Sequence, residues 1–170
     1  MQDPVPSSPR PFVGRARELA ELRTVVDAAG AGRGSVYLIT GEPGIGKSRF
    51  ADEVSRYGHE SGAAVAWGRC WEAGGAPAYW PWVQVLRSLV RRTPSIIGEG
   101  GNDRDRVLAQ IVPEFAAEPA TLPMLPPEEA RFALYDAVTL FLTGLAERAP
   151  LVIVLEDLHV ADVSSLQLLQ

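Results

Sequence analysis

Leu19, Leu22, Val25 and Val26 recur at helical spacing in the segment that opens at Arg17, so one face is apolar and the segment predicts an amphipathic helix. Gly30-Ala31-Gly32-Arg33-Gly34 stops it in a glycine-rich turn. Ser35 to Thr40 is short, apolar and β-branched, the pattern of a buried strand. A helix follows from about Lys47 to Glu60, and Ala63 to Gly68 reads as a second strand. Pro81 opens another helix through Val83, Leu86, Leu89 and Val90, with proline at the favoured first turn. Residues 93–102 form a Gly/Pro break and Asp103 to Val112 a short helix. The proline-bearing residues 113–127 form an extended connector. Pro127-Glu128-Glu129 starts a helix with apolar Phe132, Leu134, Tyr135, Val138, Leu140, Phe141 and Leu145, the acidic pair complementing the helix dipole. After Pro150, Leu151 to Leu155 is a continuous apolar run, which predicts a strand covered on both faces in a parallel α/β sheet. A last helix begins near Asp162, which with Ser164 and Ser165 after it reads as an N-cap. Residues 1–11, rich in Pro and Ser, predict a flexible leader.

One stretch resists both periods. Gly68 to Trp82 holds three of the four tryptophans among glycines and prolines. Regular structure is excluded across its middle, yet the aromatics must pack, so an ordered loop is expected.

A chain of 170 residues with 46% hydrophobic and 22% charged content has the size and composition of one globular domain. A formal net charge of -5 argues against a surface that grips DNA through its phosphates, although a basic module elsewhere would escape this test. The single cysteine, Cys70, permits no internal disulfide, which fits a reducing compartment. Following an apolar stretch and far from either histidine in sequence, Cys70 reads as a small buried residue rather than a nucleophile. The N-terminus has no apolar core for a signal peptide, and no run approaches the roughly 20 apolar residues of a membrane span. A soluble, cytoplasmic protein with no membrane partner is expected.

The chemistry concentrates at Gly41-Glu42-Pro43-Gly44-Ile45-Gly46-Lys47-Ser48, which matches G-x-x-x-x-G-K-[ST] in full. A loop wrapping a polyphosphate must aim successive backbone N–H groups inward, in conformations that a Cβ resists. The helix from Lys47 adds its positive end. The Lys47 ammonium would reach the β- and γ-phosphates and the Ser48 hydroxyl would ligate Mg²⁺. The bland reading is a strand–turn–helix corner with a chance lysine. Such a loop requires an acid at the end of another buried strand, and Glu156-Asp157 supplies it, unless the two acids merely start a solvated loop. Adjacent strand residues face opposite ways, so the two acids are not interchangeable unless the chain bends there. Glu156 is therefore assigned to Mg²⁺ through water and Asp157 to the γ-phosphate, where a base one methylene shorter than Glu predicts slow hydrolysis.

These residues together resemble the STAND group of AAA-related P-loop ATPases, in the bacterial form fused to regulators. Phe12-Val13-Gly14-Arg15 with Glu18-Leu19 resembles the family's N-terminal box on the adenine side of the nucleotide. The resemblance thus implies Val13, Gly14 and Arg15 as nucleotide contacts; an ordinary surface charge is the other reading of Arg15. Gly68 to Trp82 is similar to a segment of large LuxR-type (LAL) regulators, and Leu155-Glu156-Asp157-Leu158-His159-Val160-Ala161-Asp162 to their acidic box. Val160 stands where the family usually has Trp.

The resemblance implies an α/β fold, a three-layer P-loop NTPase sandwich with a parallel sheet, here truncated after the Walker B strand. Residues 12–170 would be the N-terminal part of the domain. A later strand, which the family inserts between the phosphate-loop strand and the acidic strand, would lie beyond Gln170. It further implies ATP or ADP and Mg²⁺ as ligands and attached C-terminal domains outside the chain. DNA would be contacted only through such an output domain, and nucleotide-dependent self-association is a further expected interaction. Catalytic roles fall on Lys47, Glu156 and Asp157, and metal ligation on Ser48, Glu156 and Asp157. Arg49 belongs with the nucleotide-binding loop but reads as a solvent-facing helix residue rather than a catalytic finger. His159 reads as a local packing or hydrogen-bonding residue.

The expected function is an Mg·ATP-binding switch. A nucleotide-binding scaffold without turnover, or a regulatory ATPase attached to a cyclase or kinase, stays open beside it. A metabolic kinase would normally carry an arginine-rich acceptor lid, which the Gly/Trp-rich loop does not resemble. Base stacking on Trp71, Tyr79, Trp80 and Trp82 is disfavoured by the acidic charge.

Overall fold

The longer helices bury apolar stripes against neighbouring elements, and the layering of helices and sheet follows from that. A computed structural model describes residues 14–73, 75–93, 102–116 and 125–170. The leader at 1–11, Phe12, Val13, residues 94–101 of the Gly/Pro break and residues 117–124 of the connector lie outside the described residues.

Helix α1 (Ala16–Gly30) buries Leu19, Leu22 and Val26, the stripe its sequence spells. Helix α2 (Lys47–Glu60) faces it with Phe50 and Val54. The α2 backbone passes close to the sheet at Gly58, where a Cβ would lie 3.3 Å from Val65 and 3.4 Å from Val152. Strands β1 (Ala64–Arg69) and β2 (Leu151–Glu156) pair in parallel, in register from Ala64 with Leu151 to Arg69 with Glu156.

The long connection between them carries helix α3 (Trp80–Arg92), helix α4 (Asp103–Leu108), a 3₁₀ turn (Pro113–Phe115) and helix α5 (Pro127–Ala146). These elements cover the opposite face of the sheet, where Leu86, Leu89, Leu108, Phe115, Val138 and Phe141 form the main core. Phe115 and Phe141 meet edge to face at 4.9 Å, a geometry worth about 0.5–1.5 kcal/mol beyond area burial. Along β2 the sides alternate: Val152 packs towards α1 and α2, Leu151, Ile153 and Leu155 towards α3 and α5. The result is α/β, with helices on both faces of a parallel sheet. After β2 come a 3₁₀ turn (Leu158–Val160) and helix α6 (Val163–Leu168).

The expectation for Ser35 to Thr40 is corrected. These residues belong to no strand, and Val36 and Leu38 are 81% and 72% exposed; only Ile39 is partly covered, against α1 and α2. β-branched composition favours a strand only where a neighbour accepts its backbone hydrogen bonds. Among the described residues the sheet is β1 and β2 alone. For the same reason β2 is half-buried along its whole length instead of fully covered. The helix expected to reach Val112 ends at Leu108, and Pro113 starts the 3₁₀ turn. Among the described residues no helix is long and apolar enough to cross a membrane.

Candidate functional site

Two corners carry the expected site residues, one leading into α2 and one at the end of β2. In the first, the chain between residue 40 and α2 turns through Gly41, Gly44 and Gly46, all at positive φ (151°, 79° and 91°). At Gly44 and Gly46 a Cβ would meet nothing within 4 Å, so it is the left-handed backbone, not crowding, that requires glycine there. The Ile45 amide closes the turn onto the Glu42 carbonyl at 3.3 Å.

Gly46 is the N-cap of α2 and supplies no side-chain hydrogen bond, and a helix N-terminus favours negative charge beside it. Lys47 folds back over the loop and donates from Nζ to the carbonyls of Gly41 at 2.9 Å and Glu42 at 3.1 Å. Its charge is thereby held at the loop by two exposed bonds to carbonyls that a phosphate can replace. Ser48 and Arg49 are exposed on the first turn of α2.

In the second corner, β2 ends at Glu156, directly opposite Arg69 at the end of β1. Arg69 donates from Nε to Glu156 Oε2 at 2.9 Å and from Nη2 to the same oxygen. Asp157 takes a left-handed conformation (φ 59°, ψ 37°), uncommon outside glycine. The chain does bend here, the case that the sequence left open: Asp157 has left the strand, and its Oδ2 also lies 3.7 Å from Arg69 Nε. The pairing with Glu156 raises the Arg69 pKa further above its ordinary value.

Asp52, four residues after Ser48 on α2, belongs to this corner, a member that sequence reading missed. Desolvation raises its pKa, and the Glu156 charge raises it further, while Arg69 and Arg49 act in the opposite sense. Its i,i+4 spacing from Ser48 was the available signal.

The oxygen-only set of Ser48, Glu156 and Asp157 suits a hard cation such as Mg²⁺. Among the described residues no three His, Cys, Asp or Glu side chains close into a metal cage. Mg²⁺ does not need one, being held typically by one or two carboxylates with substrate phosphates and water. The residues therefore fit the group.

Gly14 and Arg15 both stand at positive φ (90° and 52°) immediately before α1, with Arg15 as its N-cap; Val13 lies outside the described residues. The aromatic stretch is a turn-containing loop running into α3, and its members part company. Trp82 is buried and donates from Nε1 to the Ser165 carbonyl at 3.0 Å, whereas Trp71 is 58% exposed. A cavity of about 200 Å³ opens between this loop and the segment after the acids, lined among others by Cys70, Trp71, Trp80, Val160 and Asp162.

Cys70 is buried, and desolvation followed by the charges of Asp157 and Asp162 pushes its thiol up, away from a reactive thiolate. Asp162 caps α6 as its sequence predicts, accepting from the Ser165 amide at 2.9 Å and hydroxyl at 2.6 Å. His159 Nε2 lies 3.9 Å from Glu72 Oε1, both side chains being exposed.

The family described as "AAA ATPase domain" matches residues 11–170. An uncharacterized protein of Rhizobium meliloti (strain 1021) is 26% identical over 174 residues, covering 94% of this chain. The chain spans 17% of that relative's length. No solved structure matches the chain significantly.

Proposed function

This chain belongs to the AAA ATPase domain family, and on that premise we propose that it is the Mg·ATP-binding switch module of a larger bacterial signalling or transcriptional regulator. The observation that carries the reading is the phosphate-loop corner. Left-handed Gly41, Gly44 and Gly46 lead into an uncapped helix start, with the Lys47 ammonium folded over them.

In this reading the loop amides and the α2 N-terminus bind the β- and γ-phosphates, and Lys47 exchanges two carbonyls for phosphate oxygens. Ser48, Glu156 and Asp157 would hold Mg²⁺, which would supply neutralisation of the phosphate charge. Asp157 orients the attacking water, and Gly14, Arg15 and Val13 line the base. Nucleotide state then biases two arrangements of the domain, and domains attached C-terminal to residues 12–170 read out the difference. DNA is contacted only by such an output domain, in keeping with the net charge of -5. The LuxR-type assignment is supported by the resemblance of Gly68 to Trp82 and of the acidic box. Location in the cytoplasm and nucleotide-dependent self-association follow from the same reading.

Titration of the full-length protein with a fluorescent adenosine nucleotide and Mg²⁺ tests this. Saturable binding is expected in the parent, with Lys47→Ala weakening it about tenfold or more, the scale of one or two lost charge-assisted bonds. Unchanged binding in Lys47→Ala overturns the reading.

A second reading, nucleotide binding without turnover, is favoured by one observation: both acids are engaged with Arg69. Phosphate release by the full-length parent, with Lys47→Ala as the blank, separates the two.

A further inference from the structure

Arg69 is absent from the phosphate-loop and acidic-box patterns, yet it stands where the acids do their work. We propose that Arg69 is the resident counter-ion of Glu156 and Asp157, and that a divalent cation reaches these acids only by displacing its guanidinium. The inference rests on the reading of these two acids as metal-holding groups.

The backbone of Arg69 is fixed from both sides. It pairs in register with Glu156 at the strand ends, and the Cys70 amide that follows donates to the Glu156 carbonyl at 3.0 Å. From α3, Gln84 donates through Nε2 to the Arg69 carbonyl at 2.8 Å and accepts from the Arg69 amide at 3.4 Å. The side chain is therefore delivered to the acids by the sheet and not by a mobile loop.

The two partners differ in burial. The Glu156 side chain is 10% exposed, that of Arg69 63%. A carboxylate so enclosed needs a compensating positive group, whereas an exposed guanidinium is already largely hydrated and moves into water with little change in its own solvation. The left-handed turn at Asp157 brings the second acid to the same guanidinium, and Asp52 adds negative potential from α2. Arg69 thus faces the two carboxylates of Glu156 and Asp157, with the charges of Asp52 and Arg49 also acting at this corner. Both Arg69 N–H donors converge on Glu156 Oε2, so a cation arriving at that oxygen competes with the guanidinium. Arrival of the metal with its triphosphate then frees Arg69, giving the strand end two charge states linked to ligand.

The test uses the full-length chain without nucleotide, so it is independent of the phosphate loop. Mn²⁺ binding is followed by loss of the free-ion EPR signal in the parent, Arg69→Gln, Arg69→Lys and the double variant Arg69→Gln with Glu156→Gln. Arg69→Gln is expected to bind Mn²⁺ about tenfold or more tighter than the parent, the scale of removing one unit charge at this range. Arg69→Lys falls between, and the double variant loses the gain. In parallel, Arg69→Gln melts below the parent in chelator and recovers with Mg²⁺, but not with Na⁺ at equal ionic strength. Equal Mn²⁺ affinity in Arg69→Gln and parent, or a gain that survives in the double variant, overturns the proposal. If Arg69→Gln does not fold even with Mg²⁺, the proposal fails unless Arg69→Lys still binds Mn²⁺ more tightly than the parent. Loss of nucleotide binding in Lys47→Ala alongside unchanged Mn²⁺ affinities would reject the counter-ion and leave the nucleotide reading standing.

Discussion

Gly68 has no room for a side chain because the backbone of Pro81 lies against it: a Cβ there would sit 2.7 Å from the Pro81 carbonyl carbon and closer still to its oxygen. The start of α3 thus rests directly on the end of β1, one residue before Arg69, and the tryptophan-rich loop is the strap that returns the chain to this contact. Backbone cannot give way as a flexible side chain can. Gly68→Ala should therefore cost about 1–3 kcal/mol, the range for forced overpacking, read from the denaturant midpoint. A midpoint equivalent to less than about 0.5 kcal/mol of loss, the scale of an inert surface change, would show that α3 is not seated there.

Asp157 is held left-handed at the end of β2. Glycine takes this conformation freely, and its greater unfolded-state entropy offsets the relief, so Asp157→Gly should match the parent within about 1 kcal/mol. Asp157→Val, β-branched and strained at positive φ, should lose about 1–3 kcal/mol. Phosphate release by the full-length protein should be abolished in both. Equal stability of the Gly and Val variants would rule out the bend that places both acids on Arg69.

Val160 lines the cavity beside Trp71 and Trp80. The indole that the resembling family carries at this position would fill part of that space. Val160→Trp is expected to raise stability by about 0.5–2 kcal/mol, the usual yield of cavity filling, seen as a higher melting temperature. A lower melting temperature would mean that the cavity is not shaped for an aromatic ring.

Asp162 supplies a pH signature. Burial alone would raise its carboxyl pKa, but the Ser165 hydroxyl and the amides of Ser165 and Tyr79 outweigh this and hold it below the usual range. A depressed folded pKa contributes stability that is fully present above the unfolded value, near about 3.9, and is lost as pH falls through the folded value. Asp162→Ala should cost about 1 kcal/mol at pH 6, as for other N-caps. The gap between parent and variant should narrow only below about pH 4. A gap that stays constant from pH 6 to pH 2 would show that the cap does not act through the charged carboxylate.

Much of this protein was legible locally. The stripe Leu19, Leu22, Val26 and the Pro127 start of α5 specify helices because helical periodicity and first-turn chemistry are read over a few residues. The phosphate loop was legible for the same reason: its glycines answer to backbone angles that neighbours alone dictate. Asp162 was recognisable as a cap from the serines beside it.

Pairing over distance was not legible. Ser35 to Thr40 carries strand-forming residues, but a strand exists only with a partner ladder, and composition does not say whether one is alongside. The register that sets Arg69 against Glu156, residues separated by the whole α3–α5 connection, arises from packing on both faces of the sheet. The sequence left open whether the chain bends at the acids, and the left-handed turn that swings Asp157 towards Arg69 carries no glycine to announce it. The sequence by itself determined where the glycine-rich loop and the helix starts and caps fall, since those signals are short-range. Only the tertiary structure decided which charges face one another, because burial and strand pairing couple residues that the chain keeps far apart.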